Sequence, residues 1–109
     1  MTKIRIMDAH YLYLDGRFIS PEKSLKVINH SPTGFSFGYM GSGPSQAALA
    51  ILLEVTDKKT ALSLYQRFKC DFVSGWKRTE MEVEIDIVKW IKEQKTEKDI
   101  ANCKRKIII

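Results

Sequence analysis

Apolar residues recur along this chain in two rhythms, one suited to strands and one to helices. From Lys3 to Met7 they alternate with basic residues, which predicts a half-buried strand. Tyr11-Leu12-Tyr13-Leu14 and Phe18-Ile19 flank Asp15-Gly16-Arg17. An Asp-Gly pair between two such runs predicts a hairpin, because glycine accepts the positive φ of a tight turn. Ser20-Pro21-Glu22 has turn chemistry, and Leu25-Lys26-Val27-Ile28 predicts a further strand. Asn29-His30-Ser31-Pro32-Thr33-Gly34 consists of loop residues throughout. Phe35-Ser36-Phe37-Gly38-Tyr39 alternates aromatic with small side chains, again a strand pattern.

The rhythm changes after Gly41-Ser42-Gly43-Pro44. Pro44 suits the first turn of a helix, where its missing N–H is not needed. From Ser45 to Val55 the apolar side chains of Ala47 to Leu53 surround the axis, so this helix is predicted to be central and buried. Thr56 or Asp57 can cap a second helix running to about Phe68, with Ala61, Leu64, Tyr65 and Phe68 on one stripe. Cys70-Asp71-Phe72-Val73 predicts a strand ending at Ser74-Gly75. Met81, Val83, Ile85 and Ile87 alternate with Glu80, Glu82, Glu84 and Asp86, whereas Ile87, Val88, Trp90 and Ile91 fit a helix. A short strand through Val83 followed by a helix to about Lys95 reconciles the two periods. Residues 97–106 are expected to form a short helix or a loop, and Lys104 to Ile109 is a basic, β-prone tail.

These elements define an α+β fold. A small single domain over residues 1–109 would have an antiparallel sheet of about five short strands packed on a buried central helix, with one or two further helices. Residues 96–109 form a charged C-terminal extension.

Composition narrows the class. The chain has 109 residues, enough for one domain of ordinary size. Its 44% hydrophobic and 28% charged content is that of a soluble globular protein. The longest apolar run, Ala47 to Leu53, is far short of a membrane span, and Met1-Thr2-Lys3-Ile4-Arg5 lacks the apolar core of a signal peptide. The expected location is therefore the cytoplasm. The formal charge is +5, which favours an anionic partner weakly. The excess lies before residue 80: residues 80–109 hold seven basic and seven acidic side chains. Cys70 and Cys103 match no zinc or redox spacing and are expected to be reduced thiols.

One stretch looks familiar. Asn29-His30-Ser31-Pro32-Thr33-Gly34-Phe35, then Gly38-Tyr39, Gly41-Ser42-Gly43-Pro44 and the Ala/Leu-rich helix resemble an uncharacterised small domain family of bacteria, archaea and their viruses. The resemblance extends back to Leu14-Asp15-Gly16-Arg17 and forward through Leu64 to Lys69 and Asp86 to Ile91, covering roughly residues 11–91. It departs at Met40, where that family usually has glycine, and in the charged C-terminus. No activity carries over. Frequent residence in viruses and mobile elements implies an accessory protein acting on a host system, an argument by association.

Four groups of residues are candidates for chemistry. Gly41, Ser42 and Gly43 open onto a helix N-terminus, where backbone N–H groups and the helix dipole can hold an anion, with His30 as a partner. The turn matches neither a Walker loop nor a dinucleotide fingerprint, and close packing of glycines explains it more simply. As a general base, His30 would act on Ser31 or Ser42, yet no carboxylate is placed to orient it. The pattern Phe35, Phe37 and Tyr39 can stack bases, but the interleaved Ser36 and Gly38 favour a core face instead. Lys58, Lys59, Arg67, Lys69, Lys77 and Arg78, with Trp76, can grip a nucleic acid or another partner. The acidic comb Glu80, Glu82, Glu84 and Asp86 suits a solvated face or a basic partner. Two histidines and two dispersed cysteines make no zinc site, and no cofactor is expected.

Three functions are consistent with these residues. The first is a non-enzymatic accessory protein of viral or mobile-element type that binds a host protein or ribonucleoprotein complex, with inhibition of a defence system as its extreme form. It would work in the host cytoplasm, away from membranes. The second is direct binding of RNA or DNA through the basic surface. The third is an enzyme that binds a nucleotide or phosphate ester at the Gly-Ser-Gly turn. The first is favoured because the catalytic signals are weak. A homodimer is also expected from the β-prone Ile107–Ile109.

Overall fold

The computed structural model describes residues 1–96. Strands β1 (Thr2–Met7), β2 (Tyr11–Leu14) and β3 (Arg17–Ile19) are followed by helices α1 (Glu22–Val27), α2 (Ser42–Val55) and α3 (Lys58–Asp71). A single 3-10 turn (Val73–Gly75), strand β4 (Met81–Ile85) and helix α4 (Ile87–Thr96) complete the fold. The expectations for residues 97–109 lie outside the described residues, including most of the charged extension. Cys70 is disulfide-bonded rather than the reduced thiol expected from its spacing.

The sheet is antiparallel, in the order β3-β2-β1-β4. Residues Asp15 and Gly16 both have positive φ, 50° and 81°, and join β2 to β3 as a two-residue turn. That geometry matches the twist of the flanking strands, which is why Asp-Gly is read so readily from sequence. Alternation then sorts the side chains. Ile4, Ile6, Leu12, Leu14, Ile19 and Ile85 point inward and are buried. Lys3, Arg5, Tyr11, Phe18, Glu82 and Glu84 point outward and are exposed.

The inward face rests on a helical layer centred on α2, where Gly43 to Leu53 are all buried. A helix apolar on every side can exist in water only if other elements enclose it. The two long helices, α2 and α3, pack against each other. The α3 start is capped by Asp57, whose Oδ1 accepts the Thr60 N–H at 2.7 Å. Phe68 on α3 is fully buried, with the rings of Phe72 and Trp90 at 4.9 and 5.2 Å between centroids. Trp90 Nε1 also donates to Asp71 Oδ2 at 2.9 Å, fixing α4 to the end of α3.

Three expected strands are absent, and the sheet has four strands rather than about five. Leu25–Val27 belongs to α1, and Ile28 is its extended C-cap. Pro21 sits in the helical region at φ −71° and ψ −13°, so the Ser-Pro-Glu turn starts a helix instead of preceding a strand. Phe35–Tyr39 is irregular. Gly38 has φ +80°, and its N–H donates to the Val73 carbonyl at 3.1 Å rather than to a sheet. Cys70 and Asp71 extend α3 by one turn beyond Phe68, and Val73 enters the 3-10 turn. Strand β4 runs two residues past the expected Val83, to Ile85.

Candidate functional site

The glycine turn is shaped by packing. A Cβ on Gly43 would lie 1.6 Å from Ser36 Oγ, and one on Gly41 would lie 2.2 Å from the Tyr39 ring. A side chain at Gly43 would need Ser36 to shift, and one at Gly41 would need the Tyr39 ring to move. Ser36 Oγ and Tyr39 Oη share a hydrogen bond of 2.8 Å, so the two obstructing groups brace each other. Ser42 is exposed at the first turn of α2, while Ser45 N–H donates back to the Gly41 carbonyl. The Arg78 guanidinium carbon stands 5.3 Å from the centre of the Tyr39 ring. This cation, beside the glycine turn, belongs to the far end of the basic group and could not be placed there from spacing.

His30 belongs to a different network. Its Nε2 and Tyr65 Oη are 2.7 Å apart, and its backbone N–H donates to Gln46 Oε1 at 2.8 Å. No hydrogen bond or ring contact joins His30 to Gly41, Ser42 or Gly43 among the described residues. Sequence reasoning missed Gln46. It is fully buried on α2 and makes four hydrogen bonds. Oε1 accepts the N–H groups of His30 and Ser31, and Nε2 donates to Ser24 Oγ and the Ile28 carbonyl. Two N–H donors on one side fix which end is oxygen. The only available signal was a lone polar residue opening an apolar helix.

His10 is placed by the same logic of pinning loops. Its Nδ1–H donates to the Phe35 carbonyl at 3.0 Å, tying the β1–β2 connection to the irregular segment. Phe35 and Phe37 are buried in the core and Tyr39 is exposed, so the three aromatics form no common stacking face.

The basic residues are dispersed. Lys58 and Lys59 are exposed at the start of α3, and Lys77 and Arg78 are exposed after the 3-10 turn. Arg67 is buried, and its Nη1 donates to Gln94 Oε1 on α4. It therefore stands inside the helical layer, away from any surface that could meet a phosphate backbone. Lys69 is half-buried, and desolvation pulls its pKa below the ordinary lysine value. Trp76 is half-buried, with its ring against those of Phe37 and Phe68.

A surface not singled out in the sequence stands out instead. No described helix covers the outward face of the sheet. Across it runs one row of directly opposed residues, Phe18, Tyr13, Arg5 and Glu82. Tyr13 and Tyr11 hold the Phe18 ring at centroid distances of 5.6 and 6.2 Å. Tyr11 and Phe18 are 49% and 51% exposed, a large value for aromatic side chains in contact with each other. Beside them lies a shallow concavity of about 540 Å³ lined by Lys3, Arg5, Tyr13, Asp15, Gly16, Glu82 and Glu84. Its charges are mixed, and Lys3 Nζ reaches Glu82 Oε2 at 3.9 Å.

Among the described residues no group of three or more His, Cys, Asp or Glu is arranged to hold a metal ion. No described helix is long and apolar enough to cross a membrane.

These features define a small α+β domain with helices on one side of its sheet and, on the other, a face that no described helix covers. The chain belongs to DUF6166, a family of unknown function whose model matches residues 5–93. No curated protein matches the chain. No solved structure matches it either.

Proposed function

We propose that this protein is a non-enzymatic binding module that engages a protein partner through the outward face of its sheet. In a viral or mobile-element setting it would be an accessory protein, and the partner would be a host protein or ribonucleoprotein complex such as a defence assembly. The observation that carries this reading is the exposed cluster Tyr11–Tyr13–Phe18 beside the mixed-charge concavity. Exposed aromatics with a polar rim are the usual composition of a protein-binding hot spot. The concavity is lined by three carboxylates and two cations, a balance that suits a protein surface better than a polyanion.

The arrangement around His30 gives catalysis little support. Its ring nitrogen is engaged by a tyrosine hydroxyl, and neither Ser31 nor Ser42 is hydrogen-bonded to it. Affinity capture from a cell lysate, with and without nuclease, tests the proposal. A protein retained after nuclease treatment supports it, and capture that nuclease abolishes contradicts it.

The second reading, direct binding of RNA or DNA, is favoured by one observation, the stacking of Arg78 on the exposed Tyr39 ring. With Lys58, Lys59 and Lys77 it offers cations and an aromatic face. Its signature is an affinity that falls steeply with salt.

A further inference from the structure

Strand β4 ends the sheet, so among the described residues one of its edges faces no other strand. Its side chains alternate sharply. Glu82 and Glu84 are exposed on the outward face, with Glu80 just before them, while Met81 and Val83 are partly buried on the inward face and Ile85 is buried. The fourth member of the comb, Asp86, is already used: its Oδ1 accepts the Lys89 N–H at the start of α4.

An edge strand offers a row of backbone donors and acceptors to any extended segment, and acidic side chains decide which segment is accepted. A second copy of β4 laid antiparallel on this edge would bring glutamates against glutamates on one face, which is unfavourable. A strand with Lys or Arg on that face and Val or Ile on the other would meet carboxylates outside and apolar side chains inside.

We propose that this edge of β4, which no described strand pairs, receives an extended segment of a partner protein in which basic and β-branched residues alternate. This rests on the binding-module reading and names the chemistry of the partner. The backbone ladder supplies affinity, and Glu82 and Glu84 supply selection by charge.

The test uses the full chain and a labelled peptide, Lys-Val-Lys-Val-Lys-Val, followed by fluorescence anisotropy. Saturable binding is expected, with none for Glu-Val-Glu-Val-Glu-Val and none for the basic peptide methylated at alternate backbone nitrogens. A Glu82→Gln/Glu84→Gln variant should bind about tenfold more weakly. Both side chains are exposed, so this variant is expected to keep the wild-type circular dichroism spectrum and melting temperature. Binding that survives backbone methylation, or that ignores peptide charge, overturns the proposal. A chain that is dimeric in solution through this edge and excludes the peptide also overturns it, in favour of a second copy. If the peptide fails while capture through Tyr11 and Phe18 persists, the edge assignment falls and the binding-module reading stands.

Discussion

The buried side chain of Gln46 accepts the backbone N–H of His30 at 2.8 Å, and this bond anchors the Asn-His-Ser-Pro loop to the central helix. The loop residues that look most like a catalytic motif are thereby explained as architecture. With its two ends Gln46 satisfies the Ser31 amide, the Ser24 hydroxyl and the carbonyl that ends α1. A buried polar residue with every group paired rigidifies what it touches.

Replacing Gln46 by methionine keeps the volume and removes all four bonds. The stranded backbone groups should cost roughly 3 kcal/mol of stability. Denaturant unfolding measures the loss directly. A variant as stable as the wild type would show that the loop is held by something else.

The glycine turn yields a sharper test, because packing and anion binding predict different rescues. Gly43→Ala should destabilise by about 1–3 kcal/mol, since the new Cβ has no space beside Ser36. Adding Ser36→Gly should recover part of that loss, a coupling that a thermodynamic cycle reads out. If the second substitution adds its own cost without recovery, packing against Ser36 is not what demands the glycine.

Acid should loosen the contact between β3, α1 and α2. Arg17 donates to Glu54 Oε1 at 2.8 Å, and Lys23 lies 3.5 Å from Oε2. The Arg17 hydrogen bond, aided by Lys23 and opposed by partial burial, holds the Glu54 pKa below its ordinary value of 4.5. A depressed carboxylate pKa stabilises the fold above the unfolded value, and the gain disappears as pH falls through the folded pKa. Glu54→Gln should therefore be less stable than wild type at neutral pH, and the gap should close below about pH 4. Melts across an acid series check this. A gap that stays constant to about pH 2 would assign the cost to packing rather than charge.

Arg67 sets a condition on any test of nucleic-acid binding. Because it is buried and bonded to Gln94, charge reversal there should unfold the helical layer. Neutralising the exposed Lys58, Lys59, Lys77 and Arg78 to glutamine should leave the melting temperature within a few degrees of wild type. Direct RNA or DNA binding would then fall at low salt in that variant, whereas the protein-binding account expects capture to be unchanged.

Much of the fold was legible because local chemistry and global packing agree. Asp15-Gly16 makes the hairpin it encodes, and the apolar girdle from Ala47 to Leu53 does mark the central helix. The misread segments are those where burial produced alternation without a strand. Phe35 and Phe37 alternate because both enter the core from an irregular path set by Gly38 and by the Val73 carbonyl. Leu25 to Ile28 has strand-forming residues, but Pro21 and the Ser24 hydroxyl bonded to its carbonyl start a helix.

The candidate site was less legible. The partners of His30, Gln46 and Tyr65, and the Arg78 cation against the Tyr39 ring come from residues far along the chain, which no spacing rule reaches. The outward aromatic cluster was hidden because Tyr11, Tyr13 and Phe18 are ordinary strand residues until the hairpin register sets them side by side. Trp76 and Arg67 looked available because sequence shows charge and aromaticity but not depth.

The central claim is that the outward sheet face recognises a protein, and one measurement addresses it most directly. The full wild-type chain and a Tyr11→Ser/Phe18→Ser variant, both shown to be folded, would be used for capture from lysate after nuclease treatment. The account predicts that the wild type retains a protein that the variant loses. Equal retention by both chains, or retention by neither when nuclease is present but by both when it is absent, would contradict it.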